Sequence, residues 1–338
     1  MTIDCAYYVR GERQEPAPRT VAEAAAIPRH GGSFVWIDAY EPAERFMGEL
    51  CHEFGLHELA VEDAAHAHQR PKVEGYDTFH LVIFKTVRAD PGSGEVEFGE
   101  VDVFVGAGYV ISIRHGGARQ VDRARRRAEG HPELLKTGPA GAVWAVLDTV
   151  VDDYQPVVER LEADVEEIER AVFAGSDDLT KRIYVTKERI NEVYRAVHPL
   201  LPPLEAIERG AFPEMDPALV RYFRDVADHV RLLHDEVVAE REQLTGVLEA
   251  NLALISVRQN AIAAQQNQIV KQLTIVATVF LPLTFVTGFF GQNFAWMVRH
   301  IESATAFVLL GIGGLVVPCL VLFVWLRGGG YLASRGRR

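Results

Sequence analysis

The residues best suited to handle a charged solute lie on one helical stripe. Asn267, Val270, Thr274, Ala277, Leu281, Thr284 and Gly288 recur at intervals of three or four, so an α-helix over this stretch carries them on one face. The stripe mixes an amide, hydroxyls, small residues and apolar ones, a set that suits a narrow conduit with hydrophobic constrictions. Upstream, the run NAIAAQQNQ is rich in amides and free of charge. Amide oxygens cost less to desolvate than carboxylates and still serve a cation or its water. Two other uses of the spacing remain open: small residues let membrane helices pack closely, and amides fill polar positions in a coiled-coil seam.

The elements that must position this stripe are two apolar runs, Leu273 to Phe290 and Ala304 to Leu326. The first holds no ionisable residue and the second only Cys319. About 18 or more apolar residues suffice to cross a bilayer core of roughly 30 Å as a helix, so both runs are expected to be transmembrane. Upstream of the first run, a helical pattern starts after Asp216-Pro217 and meets no proline until Pro282. A continuous helix from about residue 218 to 290 would extend on the order of 110 Å at about 1.5 Å per residue, which is a stalk. Two membrane helices per chain cannot enclose a pore, so conduction would require several copies around an axis.

Charge divides the chain at the same place. Residues 271–338 carry six Lys or Arg against one Glu, a balance of +5 that leaves −17 to residues 1–270 within the total of −12. An acidic surface of that size argues against a nucleic-acid partner and fits cation attraction or solubility. MTIDCAYYVRGERQ lacks an apolar signal region, and Arg327, Arg335, Arg337 and Arg338 follow the second run. The positive-inside rule then predicts both termini in the cytoplasm of a protein of the cell membrane. Cys5, Cys51 and Cys319 have no metal-ligand spacing and read as reduced thiols. No phosphate-binding glycine loop, nucleophile elbow or HExxH occurs, so an enzyme is not expected. His66 and His68 read as surface residues of a helix edge.

The first 130 or so residues predict a mixed domain. FVWIDAY, YDTFHLVIFKTVR, VEFGEVDVFVG and YVISIRHG have strand-like composition and spacing. The PGSG and GAG turns join the last three into hairpins. EPAERFMGELCHEFGLHELAVEDAAHAHQ predicts two short helices. From Ala140 strand signals cease; VLDTVVDDYQPVVERLEADVEEIERAVF reads as one amphipathic helix and LTKRIYVTKERINEVYRAVHPLLPPLEAI as a second.

KQLTIVATVFLPLTFVTGFFGQNF closely resembles the pore helix and signature loop of the CorA family of divalent-cation channels, in which a Gly-Met-Asn triad follows the first membrane helix. GLHELAVEDAAHAHQRPKVE, VDDY and RYFRDVADH resemble family segments in the same order, so the likeness covers most of the chain. It implies an α+β cytoplasmic domain, a long stalk helix and two transmembrane helices, assembled as a funnel-shaped homopentamer in the lipid bilayer. The corresponding divisions are an α/β domain over 1–139, a helical hairpin over 140–216 and a stalk over 217–272. A pore-lining helix over 273–290, an external GQN loop over 291–303, an outer helix over 304–326 and a basic tail over 327–338 complete them. Carried over residue by residue, the resemblance implies a selectivity filter of Gly291, Gln292 and Asn293. It also implies an amide ring of Asn267 and hydrophobic gate positions at Val270 and Leu273. Asp63 and Asp225 match carboxylates that bind regulatory Mg²⁺ between neighbouring subunits. Mg²⁺ is thus expected both as cargo and as regulator, with Co²⁺ or Ni²⁺ as further cargo and no organic cofactor.

Gln292 departs from the family pattern by replacing the Met of the triad. The segment FAWMVRHIES beyond it lacks the acidic cluster typical of Mg²⁺-selective members. Two alternatives follow: a zinc transporter resembling the ZntB branch, and a membrane protein that senses Mg²⁺ without conducting.

Overall fold

In a computed structural model of the chain, residues 2–29, 31–67, 69–89, 96–118, 121–176, 179–210, 215–292, 294–300 and 303–328 are described. The PGSG turn, His68, Asn293 and residues 329–338 of the basic tail lie outside them. Two compact units are formed, residues 1–251 and 252–338.

The first unit is built on a seven-stranded sheet. Strands β1 (Thr2–Val9), β2 (Glu12–Gln14) and β3 (Ser33–Tyr40) make one half. The other half is β4 (Lys72–Gly75), β5 (Phe79–Ala89), β6 (Val96–Gly106) and β7 (Tyr109–Gly116), giving the order β2-β1-β3-β7-β6-β5-β4. All neighbours are antiparallel except β3 and β7, which run parallel. Because these central strands are covered on both faces, β3 is buried at every position up to Ala39, which matches its nearly unbroken apolar sequence.

Helices α1 (Val21–Ala26), α2 (Glu44–Phe54) and α3 (Glu58–His66) cover one face. There Phe46, Leu50 and Ala60 pack against Val35, Ile37, Leu81, Phe104 and Ile111. The other face meets α4 (Val121–Glu129), α5 (Pro132–Leu135) and α6 (Pro139–Asp152). The eleven residues from Gly141 to Val151 of α6 are all buried. A helix that is apolar all round belongs inside, and this one lies against β3, β5, β6 and β7.

Residues 140–216, expected as a helical hairpin, therefore hold most of α6 as well as the hairpin. The hairpin proper is α7 (Gln155–Phe173) with α8 (Leu179–Val197), antiparallel as their ion pairs Glu167 with Arg182 and Asp164 with Arg189 require. The helix expected to run unbroken through VDDYQP is interrupted at Asp153 and Tyr154, before Pro156. Tyr154 is fully buried there and donates its hydroxyl hydrogen to the Lys85 carbonyl at 2.9 Å. A 3₁₀ turn, His198–Leu200, leads into α9 (Leu201–Glu208).

The long helix exists as one element, α10 (Pro217–Phe290), of 74 residues. Leu219, Phe223, Val226, Val230, Leu233, Val237, Leu244 and Val247 form its buried stripe, which ends at Asn251. In the second unit α10 is followed by α11 (Ala295–His300), α12 (Ala304–Ala306), a π-helical turn Phe307–Ile312 and α13 (Gly313–Gly328).

The centre of the sheet is pinned by one ion pair. Asp38 on β3 receives Nε of Arg114 at 3.1 Å and its terminal nitrogen at 2.6 Å, across the parallel β3–β7 seam. Ser112 donates to the same carboxylate at 2.7 Å, and Trp36 Nε1 donates to Ser112 Oγ at 3.2 Å. Burial pushes the Asp38 carboxyl up while Arg114 holds it down. Removing one partner of such a pair strands the other charge. Arg114→Met is therefore expected to lower unfolding free energy by about 3–5 kcal/mol, and Asp38→Leu combined with it to recover much of that loss; denaturant unfolding of the full chain measures both.

Candidate cation-conduction site

The second unit carries two helices long and apolar enough to cross a membrane, and no part of their apolar windows is buried within the chain. Side chains such as Leu281 and Phe285 are 72% exposed. This rules out a buried helical hairpin in a soluble domain, because a continuous apolar surface of that size needs lipid or other protein to cover it.

Which face of α10 meets its neighbour is decided by packing. Val279 and Leu283 share an apolar cleft with Leu315, Val316, Cys319, Leu320 and Phe323 of α13. One turn on, a Cβ added at Gly314 would meet Cγ1 of Val286 at 3.6 Å. At about 100° per residue, the Val279–Leu283–Val286 face lies roughly 170° around the helix from Thr274, Ala277, Leu281, Thr284 and Gly288. The stripe singled out from sequence thus points away from the second membrane helix. Asn267, Val270 and Leu273 are likewise exposed in the single chain.

The hydroxyls on α10 are engaged locally. Thr274 Oγ1 donates to the Val270 carbonyl at 2.8 Å and Thr284 Oγ1 to the Phe280 carbonyl at 2.9 Å. Each donor is spent on the backbone, so the outward oxygen lone pairs are acceptors, the sense a cation or its water requires. Thr278 and Thr287 do the same toward Thr274 and Leu283; sequence periodicity had not singled them out. Pro282 has no N–H and frees the Thr278 carbonyl from its helical partner.

At the helix end, Gly291 N–H still donates to the Thr287 carbonyl at 2.9 Å and Gln292 N–H to Phe289 at 3.4 Å. Gln292 is exposed. A Cβ at Gly291 would lie 2.9 Å from the Thr287 carbonyl oxygen, so glycine is what the close turn admits. The segment after it, expected as a loop, holds α11, in which Trp296 stacks on His300 with centroids 4.5 Å apart.

The two carboxylates matched to regulation sit in the first unit. Asp63 on α3 receives Lys72 Nζ at 2.8 Å and Gln69 Nε2 at 3.3 Å. Lys72 also reaches Glu74 at 2.7 Å; burial opposes its charge, but the bonds to the two carboxylates prevail and push its ammonium up. A cation at Asp63 must therefore compete with Lys72. Asp225 on α10 is largely exposed, with His229 Nδ1 at 3.9 Å.

Sequence reading missed Asp148 on α6. It is 4% exposed, and Arg127 binds it and Asp152 at 2.5 Å each. Burial pushes its carboxyl up against the pull of Arg127, with the negative charges of Asp152 and Asp225 adding to the rise. Asp148 and Asp225 therefore share one electrostatic neighbourhood. Among the described residues of one chain, no three His, Cys, Asp or Glu side chains gather closely enough to hold a metal.

A family profile described as CorA-like Mg²⁺ transporter protein matches residues 31–328. The chain belongs to the CorA family. It is 28% identical over 272 residues to the cobalt/magnesium transport protein CorA of Thermotoga maritima, covering 80% of this chain and 76% of that one. With the cobalt/magnesium transport protein CorA of Methanocaldococcus jannaschii it shares 21% over 295 residues, 86% of this chain and 89% of that one. Its fold resembles the complete structure of the M. jannaschii CorA magnesium transporter, with TM-score 0.66, 20% identity and coverage of 98% and 100%. The full-length CmaX protein is similar at TM-score 0.63 and 20% identity, covering 96% and 97%. This CorA-family chain is accordingly a membrane protein of a family of Mg²⁺ transporters.

The geometry between α10 and α13 makes a direct prediction. Gly314→Ala adds a methyl at ordinary contact distance and should leave the detergent-solubilised protein's melting temperature unchanged. Gly314→Leu must push the helices apart, at a cost of about 1–3 kcal/mol, and should lower it.

Proposed function

We propose that this chain is the subunit of a homopentameric divalent-cation channel of the cell membrane, with both termini cytoplasmic, that admits Mg²⁺ and also Co²⁺ or Ni²⁺. The observation that carries the reading is the orientation of α10: its amide, hydroxyl and small-residue stripe lies opposite the face packed on α13. Several copies of α10 facing inward would enclose a path lined by Asn267, Val270, Leu273, Thr274, Ala277, Leu281, Thr284 and Gly288. Copies of α13 would stand outside.

The chemistry follows from how Mg²⁺ behaves. It prefers octahedral oxygen ligands and gives up water reluctantly, so a ring of Asn293 amide oxygens with Gly291 carbonyls at the mouth would hold the ion through its water shell. Weak outer contact permits exit. Entry needs no pump, since a divalent ion crossing about 100 mV gains roughly 4.6 kcal/mol. Gln292 adds a second side-chain amide to this filter.

Regulation is proposed at Asp63 and Asp225. Among the described residues of one chain these carboxylates assemble no metal cage, which favours ligands contributed from two subunits. Mg²⁺ bridging them would hold the cytoplasmic assembly shut, and its loss would let carboxylate repulsion loosen it.

Flux into proteoliposomes tests conduction. Wild-type protein should take up Mg²⁺, and Asn293→Ala should change uptake several-fold; no uptake of Mg²⁺, Co²⁺, Ni²⁺ or Zn²⁺ would overturn the transport reading, and Zn²⁺ uptake alone would favour the zinc branch. Asp225→Ala should conduct at internal Mg²⁺ that closes the wild type, and identical inhibition of the two would refute the gating site.

A further inference from the structure

Away from the carboxylates, the first unit brings two histidines from distant parts of the sequence into ring contact. His198 opens the 3₁₀ turn after α8, and His234 lies on α10. His198 Nδ1 and His234 Nε2 are 3.2 Å apart, with ring centroids 5.2 Å apart. On its other nitrogen, His234 Nδ1 lies 3.3 Å from Asp235 Oδ1.

These distances match those of two ligands on one metal ion. Nitrogens each about 2.0–2.1 Å from a zinc and near the tetrahedral angle lie about 3.3 Å apart, and their ring centres about 5 Å apart. Asp235 supplies what a ligating imidazole ordinarily has, a carboxylate that accepts a hydrogen bond from the opposite ring N–H and fixes the tautomer. With Nδ1–H of His234 turned to Asp235, Nε2 keeps its lone pair toward His198. Tyr194, one turn earlier on α8, stacks on His198 at 5.2 Å and 8° and meets His234 at 5.8 Å, while the Arg241 guanidinium lies 5.2 Å from the Tyr194 ring centre. The rings are thus held by their neighbours.

We propose that His198 and His234 form a two-imidazole site for a borderline transition ion, Zn²⁺ or Cu²⁺ in particular, distinct from the pore and from Asp63 and Asp225. The ion takes the place of the bridging hydrogen, which His198 then carries on Nε2, and water completes the coordination. Imidazole nitrogen favours Zn²⁺, Cu²⁺, Ni²⁺ and Co²⁺ over Mg²⁺, so this site reads a class of ion that oxygen sites do not select. Occupation ties the end of α8 to α10, giving the cytoplasmic unit a response to transition ions independent of Mg²⁺.

Zn²⁺ titration of the full-length protein in detergent, with excess Mg²⁺ occupying oxygen sites, tests this. His198→Gln and His234→Ala should each weaken one binding event by about tenfold or more, the scale on which even an outer-shell partner acts. His66→Ala, which removes an exposed imidazole elsewhere, should not, and His198→Cys should restore binding through a thiolate. Cu²⁺ electron paramagnetic resonance should show coupling to two imidazole nitrogens in the wild type and one in each single variant. Acidification should weaken binding, because the ligands must be deprotonated. A Zn²⁺ titration unchanged in both variants overturns the proposal, as does a loss of binding that only parallels a loss of folded protein by circular dichroism.

Discussion

A helix crossing hydrocarbon must satisfy its backbone polar groups within itself, and the second unit follows from that constraint. Because α10 spends its backbone on the helical ladder, the chemistry offered to a solute must come from side chains on one face, apart from the carbonyl that Pro282 releases. Threonine fits the requirement well. By donating to the preceding turn, Thr274 and Thr284 satisfy their own hydrogens without leaving the helix and keep oxygen lone pairs free to accept. Gly288 and Ala277 on the same face leave it shallow, while Leu281 and Val270 stand out from it.

The same helix joins the two units with a change of chemistry along its length. Up to Asn251 its apolar stripe is buried among helices of the first unit, and the surroundings are acidic. Burial pushes the Glu240 carboxyl up there, with Glu162, Glu166 and Glu236 adding to the rise. Past Asn251 the charges thin to Arg258 and Lys271 in an amide-rich stretch, and the uncharged apolar run from Leu273 follows. A chain built this way keeps its net negative charge in the first unit and ionisable groups out of the apolar run Leu273 to Phe290.

In the first unit the sheet is the rigid reference. The Asp38–Arg114 pair spans the parallel seam, and α3, which carries Asp63, packs on the face that this seam supports. On the opposite face α6 is enclosed and brings Asp148 toward Asp225. Asp148 and Asp225, far apart in sequence, thereby come close enough for the charge of one to act on the other.

Much of this was legible in the order of residues. Apolar runs of membrane length, a proline-free helical pattern and alternating strand segments are local signals, and the helix from Pro217 to Phe290 and the β5–β6–β7 hairpins follow from them. The GQN segment and the three-four spacing likewise marked the stripe on α10. Other features are not local. Strand β1 and the short β4 have weak patterns and exist because β3 and β5 present edges to pair with, and Asp153 and Tyr154 break a helix because Tyr154 finds a buried partner at Lys85. Asp148 looks like any acid in an apolar helix until the sheet closes over it. The sequence by itself determined that the chain has a membrane part and where its polar stripe runs, since both rest on helical periodicity. Only the tertiary structure decided that the stripe turns away from α13 and that His198 meets His234, because both depend on which faces pack, and packing is set by residues distant in the chain.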